Sequence, residues 1–301
     1  MLYNLYFCKQ KNKTMTVKQR LERIYATLPQ GVNLVAVSKF HPAERVMEAY
    51  EAGQRIFGES RPQEMAAKAA ELPKDIVWAM IGHLQTNKVK MIAPFVSLIA
   101  SVDSDRLIEE IEKQAAKNER KIDILLEVHV ADEETKSGWD IEALRAYLAS
   151  GALEAMSHIR VRGVMTIATN TDDEATIRRD FQAIKDIFEE LKPHFGEAFD
   201  TLSIGMSDDY PLALEYGSTL VRIGTAIFGA REYYTHGHAI LHRVTIRRCG
   251  ILRLAASTRH RNGAGHHRGQ ALDATRCAHR DCGRGTHRHG RKCLVLHRSF
   301  R

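Results

Sequence analysis

From residue 33 onward, the chain alternates between short apolar runs and longer stretches in which apolar residues recur every three or four positions. The short runs are rich in Val, Ile and Leu, as buried β-strands are, and the longer stretches have the period of an amphipathic helix. Eight runs are predicted as strands: 33–38, 55–60, 76–82, 96–101, 122–130, 159–167, 201–205 and 219–224. The clearest predicted helices are 17–28, 42–53, 104–119 and 174–192.

Strands separated by helices favour a parallel sheet, because a crossover between parallel strands needs about a dozen residues or more. Eight such units form a (β/α)8 barrel of the TIM type, whose usual size is about 250 residues. The competing architecture is an open doubly wound sheet, which typically has a Gly-rich turn after its first strand. Here the first strand continues into Ser38-Lys39-Phe40-His41-Pro42 instead. We therefore predict an α/β fold of the (β/α)8 barrel type.

Charge divides the chain into two parts. Residues 233–301 contain 15 Lys and Arg against 2 Asp and Glu, a balance of +13, whereas residues 1–232 contain 29 against 35, a balance of −6. The basic part also holds ten of the 15 histidines and shows no sustained helical or strand period. We predict a globular barrel over 15–232 and an unstructured basic tail over 233–301. An out-of-frame reading of the coding sequence is an alternative origin for this tail.

The beginning of the chain is predicted to lie outside the barrel. Residues 1–14 precede a second methionine, Met15, so we predict a disordered extension, and translation starts at either Met1 or Met15. The apolar start MLYNLYFC is too short for a signal peptide, and no apolar run reaches the length of a membrane span. Cys8 is the single cysteine before the tail, so the barrel does not depend on disulfides. These features predict a cytoplasmic protein without membrane association.

Candidate phosphate-binding residues follow the seventh and eighth predicted strands, where barrels often hold phosphate. Gly224 lets a phosphate approach the backbone, and Thr225 supplies a hydroxyl at the start of a helix. An ordinary Gly-Thr turn before a helix is the alternative. Ser207 follows the seventh strand, where it either caps a helix beginning at Asp208 or faces the phosphate.

Two cationic residues lie in predicted strands. Lys39 is the polar end of the apolar run LVAVSK, and a partly desolvated lysine at a barrel mouth can lose its proton and attack an aldehyde. The alternative is a surface lysine that ends a strand. Arg222 lies inside TLVRIG, where a buried guanidinium needs a partner, either a structural carboxylate or a ligand.

Polar residues also follow the second and third predicted strands. Ser60 and Gln63 have the spacing of a capping box, which accounts for them locally. His83 is either a working side chain at the barrel mouth or a loop histidine satisfied by its surroundings. In the tail, Cys277 and Cys282 with nearby histidines do not match a zinc-ligand spacing, so we predict no metal site. The Arg and His clusters there would bind nucleic acid only nonspecifically.

Eight segments between about residue 16 and about residue 232 form a set that is highly specific in order and spacing. They are AVSK at 36–39, FGES with QE at 57–64, IGHLQTNK at 81–88, SVDS at 101–104, KSG at 136–138, RGVMTI at 162–167, LSIGMSDDY at 202–210 and GSTLVRIGTAIFGAR at 217–231. Together they resemble the family of pyridoxal phosphate homeostasis proteins. The chain differs from that family at Ser60, where Asn is usual, and at Ala79, where His is common.

The resemblance implies a single (β/α)8 barrel, similar to the barrel domain of alanine racemase, with pyridoxal 5′-phosphate (PLP) as cofactor. It implies that Lys39 forms a Schiff base with PLP and that Arg222 faces the pyridine nitrogen. It further implies that the phosphate is bound by Ser207, Gly224 and Thr225. Ser60, His83 and Met165 are further candidates to line the cofactor site.

The resemblance also implies a monomer that stores, buffers or delivers PLP, with PLP-dependent apoenzymes as recipients. An arginine at the pyridine nitrogen leaves that nitrogen unprotonated, which makes the ring a poorer electron sink. Racemases of the related fold add a second domain with a tyrosine base, and the tail has no β-rich pattern that predicts one. A PLP-dependent amino-acid racemase and a nucleic-acid-binding protein acting through the tail are the alternative hypotheses.

Overall fold

The structure is a computed structural model of the chain, and it describes residues 15–131, 133 and 137–230. The predicted extension at 1–14 and the predicted basic tail at 233–301 lie outside the described residues, as do the candidate zinc ligands of the tail.

Eight parallel strands form one sheet in the described part of the chain. They are β1 (Asn33–Val37), β2 (Ile56–Glu59), β3 (Val77–Met80), β4 (Leu98–Val102), β5 (Ile122–Glu127), β6 (Ile159–Met165), β7 (Thr201–Ser203) and β8 (Leu220–Ile223). The pairing order is β7-β6-β5-β4-β3-β2-β1-β8, so neighbours in sequence are neighbours in the sheet and β8 returns to β1. This is the order of a barrel, and the (β/α)8 prediction is confirmed.

Helices cover the outside of the sheet. They are α1 (Val17–Tyr25), α2 (Ala43–Glu51), α3 (Pro62–Glu71), α4 (Thr86–Ile92), α5 (Asp105–Lys117), α6 (Ile141–Ala149), α7 (Glu174–Phe195), α8 (Tyr210–Glu215) and α9 (Thr225–Phe228), with 3-10 turns at Ala152–Ala155 and Gly196–Ala198. None of the helices in the described ranges has both the length and the apolar composition needed to cross a lipid bilayer.

Local sequence explains where α1 lies and how it begins. The Thr16 hydroxyl accepts a hydrogen bond from the Gln19 N–H (3.2 Å), and the Gln19 side chain accepts one from the Thr16 N–H (3.0 Å), which completes a capping box. Val17, Leu21 and Ile24 are buried at helical spacing, so one face of α1 packs on the barrel.

The start of α3 differs from the sequence interpretation. This helix begins at Pro62 with Arg61 as its N-cap, and no side chain caps it. Proline suits the first helical position because it has no N–H to satisfy there. The capping box predicted for Ser60 and Gln63 is therefore wrong, and Ser60 precedes the helix by two residues.

The barrel closes between β7 and β8 with few hydrogen bonds. The Thr219 N–H donates to the Leu202 carbonyl (2.9 Å), and the Arg222 N–H donates to the Gly205 carbonyl (3.0 Å). The Leu202 N–H is satisfied by the hydroxyl of Thr219 (2.9 Å) rather than by a strand carbonyl. In the described residues no strand ladder joins β7 to β8, so this seam also depends on side chains.

Alternate strand residues fill the inside of the barrel. The inner cluster consists of Val35, Val37, Ala79, Ala100, Leu125, Met165 and Leu220, and a larger cluster lies between the sheet and the helices. Side chains two positions apart on a strand share a face. Glu127 and Arg222 therefore continue the inner face of their strands towards the mouth, and Lys39 follows two residues after Val37 of the inner cluster.

We predict that Gly58, on the inner face of β2, has no room for a side chain. A methyl group there would lie 2.7 Å from Cγ1 of Val35 and 3.1 Å from Cδ1 of Ile81. Gly58→Ala should therefore lower the free energy of unfolding by about 1–3 kcal/mol, measured by chemical denaturation. Adding Val35→Ala should restore part of the lost stability, because it removes the Cγ1 atom that the new methyl group would meet. An unchanged denaturation midpoint for Gly58→Ala would show that the inner face of β2 is more open than these contacts indicate.

Candidate functional site

Parallel strands all end on one side of a barrel, and the predicted site residues lie at or just beyond those carboxyl ends. Met165 ends β6 and Arg222 lies within β8, while the others follow strands: Lys39 follows β1, Ser60 follows β2, His83 follows β3, Ser207 follows β7, and Gly224 and Thr225 follow β8. The structure thus places all eight at the same end of the barrel.

Ser207 contacts the turn after β8 and does not cap its own helix. α8 begins at Tyr210 rather than at Asp208, so the predicted capping role of Ser207 is wrong. Its hydroxyl instead accepts hydrogen bonds from the N–H groups of Gly224 (3.2 Å) and Ala226 (3.4 Å). A hydroxyl and two amides therefore converge at one point of the mouth.

A small cavity of about 170 Å³ lies beside this turn. Its lining combines Ser207 and Ala226 with Arg20 and Arg23 of α1. Amide N–H groups, a hydroxyl and guanidinium groups are the donors that bind phosphate oxygens in proteins. The arginines were missed from the sequence, because α1 precedes the first strand and nothing local connects it to the last one.

Gly224 lies close to the end of β1. A Cβ atom at this position would lie 3.1 Å from the Val37 carbonyl oxygen, so the two chain segments approach closely. Thr225 is exposed at the first position of α9. At the other end of this one-turn helix, Arg20 donates to the Ile227 carbonyl and Arg45 to the Phe228 carbonyl, both at 3.2 Å.

Arg222 is 4% exposed and points inside the barrel. Its guanidinium donates to the carbonyl (2.8 Å) and hydroxyl (2.7 Å) oxygens of Ser203 and to the carbonyl oxygen of Thr166 (2.8 Å). No carboxylate forms an ion pair with it among the described residues, so the structural carboxylate expected as one possible partner is absent there. Burial lowers the pKa of Arg222 to about 10, against the opposing effect of Glu127 and Asp209. Arg222 therefore stays cationic at neutral pH.

Lys39 lies in a hydrogen-bonded turn between β1 and α2. The His41 N–H donates to the Ser38 carbonyl (3.0 Å), and Phe40, between Lys39 and His41, has a φ of +66°. The His41 ring packs against the Phe228 ring of α9, with ring centroids 5.0 Å apart. The turn that carries Lys39 is therefore packed against the turn after β8, and Lys39 itself is half-buried.

Glu127, the last residue of β5, is a buried carboxylate at the barrel mouth that the sequence analysis did not single out. It is 2% exposed and pairs in register with Met165 of the inner cluster. Its Oε1 accepts from the Ser137 hydroxyl (3.0 Å), whereas Oε2 has no hydrogen-bond partner in the described part of the chain. Burial raises the pKa of Glu127, and Asp103 adds to this effect, while Arg222 and His83 oppose it. Like Lys39, Glu127 is a polar residue at the end of an apolar run, and this signal in the sequence could have identified it.

The three remaining candidates differ in their surroundings. Met165 is fully buried in the inner cluster. The His83 side chain is 61% exposed, and its Nδ1 lies 2.7 Å from the Asp103 carboxylate. Ser60 is half-buried, and its backbone packs closely against Gly82. A Cβ atom added to Gly82 would lie 2.8 Å from the Ser60 Cα. The structure shows Met165 inside the barrel and the other two at its rim.

Within the described ranges, no group of three or more His, Cys, Asp or Glu residues is arranged to hold a metal ion.

The sequence matches the model of the family described as "Alanine racemase, N-terminal domain" over residues 14–232. It is 36% identical to the pyridoxal phosphate homeostasis protein of Pasteurella multocida over 233 residues, covering 73% of this chain and 99% of that protein. It is 39% identical to the pyridoxal phosphate homeostasis protein of Aquifex aeolicus over 221 residues, covering 72% and 96%. The matches therefore extend over nearly the whole of these relatives.

Solved structures show the same barrel. PipY of Synechococcus elongatus, solved with PLP bound, is 38% identical with a TM-score of 0.66, over 71% of this chain and 100% of that one. Alanine racemase from Bartonella henselae, solved with covalently bound pyridoxal phosphate, is 17% identical with a TM-score of 0.57, over 73% of this chain and 60% of that one. At that identity the second match shows the fold alone.

We predict that the stability cost of Glu127 appears only above the ordinary pKa of glutamate. Because its pKa is raised in the folded chain, the folded state holds a proton that the unfolded state releases. Between about pH 4.3 and the raised pKa, the contribution of Glu127 to the free energy of unfolding should therefore fall by about 1.4 kcal/mol for each pH unit. Glutamine has nearly the same shape as glutamate but does not ionise. The unfolding free energy of Glu127→Gln minus that of the wild type should therefore increase with pH across this window.

Chemical denaturation between pH 4 and 8 measures the difference between Glu127→Gln and the wild type. The exposed Glu71→Gln is the matched control and should show no such trend. A gain that shrinks with rising pH would contradict a raised pKa for Glu127.

Proposed function

We propose that this chain, which belongs to the alanine racemase N-terminal domain family and, by its relatives, to the pyridoxal phosphate homeostasis proteins, binds PLP and keeps the cofactor available inside the cell. The observation that carries the proposal is the contact of the Ser207 hydroxyl with the amides of Gly224 and Ala226, beside the arginines of α1. These donors suit the phosphate group of PLP.

The phosphate site is proposed to consist of Ser207, Gly224 and Thr225. The N–H groups of Gly224 and Ala226, which donate to the Ser207 hydroxyl, can instead donate to phosphate oxygens. The hydroxyls of Ser207 and Thr225 can donate to the same oxygens. Gly224 allows the approach because it has no side chain, and Arg20 and Arg23 supply positive charge nearby.

Lys39 is proposed to hold the cofactor covalently. Its amine would supply the nucleophile for the aldehyde of PLP in the neutral form, because only that form has a free lone pair on nitrogen. Ser60, His83, Met165 and Glu127 are proposed to complete the surroundings of the ring.

Arg222 is proposed to face the pyridine nitrogen. Its donors are directed at Ser203 and Thr166, and its charge persists at neutral pH, so it does not supply a proton to the ring. When bound, PLP supplies an aldehyde for amines and an electron sink for carbanions, and an unprotonated pyridine weakens the second of these. This arrangement suits holding and transferring the cofactor better than rapid turnover.

Storage and delivery to PLP-dependent apoenzymes by a monomer is therefore the role we favour over amino-acid racemization. The match to Bartonella henselae alanine racemase covers 60% of that enzyme, which leaves the remainder of the enzyme without a counterpart in the match. Incubation with L-alanine in deuterated water separates the two roles. Stereospecific exchange of the α-hydrogen at a catalytic rate would support the racemase, and release of PLP to an apoenzyme without such exchange would support the carrier.

The PLP-binding unit is proposed to be residues 15–232, because the family match spans 14–232 and the relatives are matched almost completely within it. Residues 233–301 would then be dispensable for the cofactor. Salt-dependent DNA binding that disappears on truncation after residue 232 would instead give the tail a function of its own.

We predict that removing Lys39 abolishes covalent PLP binding. The full-length chain mixed with PLP should develop a visible Schiff-base band and retain the cofactor after borohydride reduction, whereas Lys39→Ala should do neither. Lys90→Ala, an exposed lysine of α4, is the matched control and should behave like the wild type. Covalent labelling that persists in Lys39→Ala would assign the linkage to another lysine.

We also predict that Ser207→Ala weakens PLP binding by about ten- to a hundredfold, because a hydrogen bond to a charged group contributes about 1.5–3 kcal/mol. Pyridoxal, which lacks the phosphate, should bind equally to the variant and the wild type. Isothermal titration of both ligands measures this difference. Equal losses for PLP and pyridoxal would place Ser207 away from the phosphate.

A further inference from the structure

The turn that carries Lys39 has an unfavourable backbone conformation. Phe40 follows Lys39 with a φ of +66°, a left-handed value that phenylalanine rarely adopts and that glycine or asparagine prefers. In a turn closed by the Ser38 carbonyl and the His41 N–H, Phe40 occupies the position where positive φ normally requires glycine. Such strain persists only where surrounding contacts hold it in place.

A buried lysine holds one side of this turn. Lys68 of α3 is only 6% exposed, and its ammonium donates to the carbonyl of Ser38, the residue immediately before Lys39, at 2.9 Å. It also donates to the carboxylates of Glu59 (2.7 Å) and Glu64 (2.8 Å). Each of the three ammonium protons of Lys68 therefore has an acceptor.

Glu64 holds the other side. The same Oε1 atom that accepts from Lys68 accepts from the backbone N–H of Phe40 at 2.7 Å. The peptide groups on both sides of Lys39 are thus fixed by two side chains of one helix, and those side chains form an ion pair with each other.

Glu59 completes the cluster beneath the turn. It is fully buried, and its Oε1 accepts from the Ser38 hydroxyl at 2.6 Å as well as from Lys68. Its Oε2 has no hydrogen-bond partner in the part of the chain that the structure describes. Ser38 and Glu59 therefore contact each other and Lys68 of α3, on the side of the sheet opposite to Val37 and the rest of the inner cluster.

We propose that Lys68, Glu64 and Glu59 are positioning residues that hold Lys39 in the strained turn from which its amine reaches the aldehyde of PLP. The inference rests on the proposed function, since it assigns a role relative to that linkage. The cluster acts on the covalent step and leaves the phosphate site, which is built from β7, β8 and α1, unchanged.

The matched pair Glu64→Ala and Glu64→Gln tests this role. Glutamine keeps an oxygen that can accept from Phe40 and Lys68, whereas alanine removes it and remains compatible with α3. The probes are PLP and pyridoxine 5′-phosphate, which carries the phosphate but lacks the aldehyde. Glu64→Ala should show about a tenfold loss in the equilibrium constant for the visible Schiff-base band, equivalent to about 1.4 kcal/mol, with unchanged affinity for pyridoxine 5′-phosphate. Glu64→Gln should restore most of the band.

A second substitution tests the strain itself. Glycine adopts positive φ without penalty, so Phe40→Gly in the Glu64→Ala background should recover part of the lost Schiff base. Wild-type Schiff-base formation in Glu64→Ala would overturn the proposal, as would a parallel loss of pyridoxine 5′-phosphate affinity, which indicates general damage. No recovery on adding Phe40→Gly would equally count against it. Absence of the band in the wild type would refute the proposed function instead, so the two failures are distinguishable.

Discussion

The closure of this barrel between β7 and β8 rests on a few hydrogen bonds, two of which the guanidinium of Arg222 donates to Ser203. The ladder between β7 and β8 is missing from the described residues, and Arg222 bridges the gap by donating to Ser203 on β7 and to the Thr166 carbonyl just beyond β6. A buried charge must be hydrogen-bonded, and β7 has only three residues with which to pair. The hydrogen bonds of the Arg222 guanidinium therefore satisfy its own charge and also connect β8 to β7. The Gly224-Thr225 turn begins two residues after Arg222.

The two faces of the sheet contribute differently to the site. Glu127 and Arg222 lie on the inner face of the sheet and Lys39 follows β1 at the mouth, while Glu59 on the outer face forms a buried ion pair with Lys68 of α3, which also pairs with Glu64. The groups that would meet a ligand are thus supported from behind by groups that would not. Because α3 supplies Lys68 and Glu64, the position of the Lys39 turn is coupled to the packing of one helix on the barrel.

The electrostatics of the mouth favour an anion at the side of Arg20 and Arg23 and an uncharged carboxyl group at the side of Glu127. Arg20 and Arg23 line the small cavity beside Ser207, and Arg222 remains charged within the barrel. Across the mouth, burial raises the pKa of Glu127 and so favours its protonated form, which limits repulsion of a phosphorylated ligand. This asymmetry suits a ligand whose anionic group lies beside the arginines of α1.

Apolar periodicity predicted the eight strands, and the lengths of the connections and the lack of a Gly-rich turn after the first strand predicted the parallel barrel. The rule that parallel strands end together then placed Lys39, Arg222, Ser207 and Gly224 at one end of it. The contact of Ser207 with Gly224 and Ala226, the arginines contributed by α1, and the support of the Lys39 turn by Lys68 became visible only in the folded chain. Periodicity reports which face of an element is buried, whereas hydrogen bonds between elements far apart in the chain depend on how those elements pack.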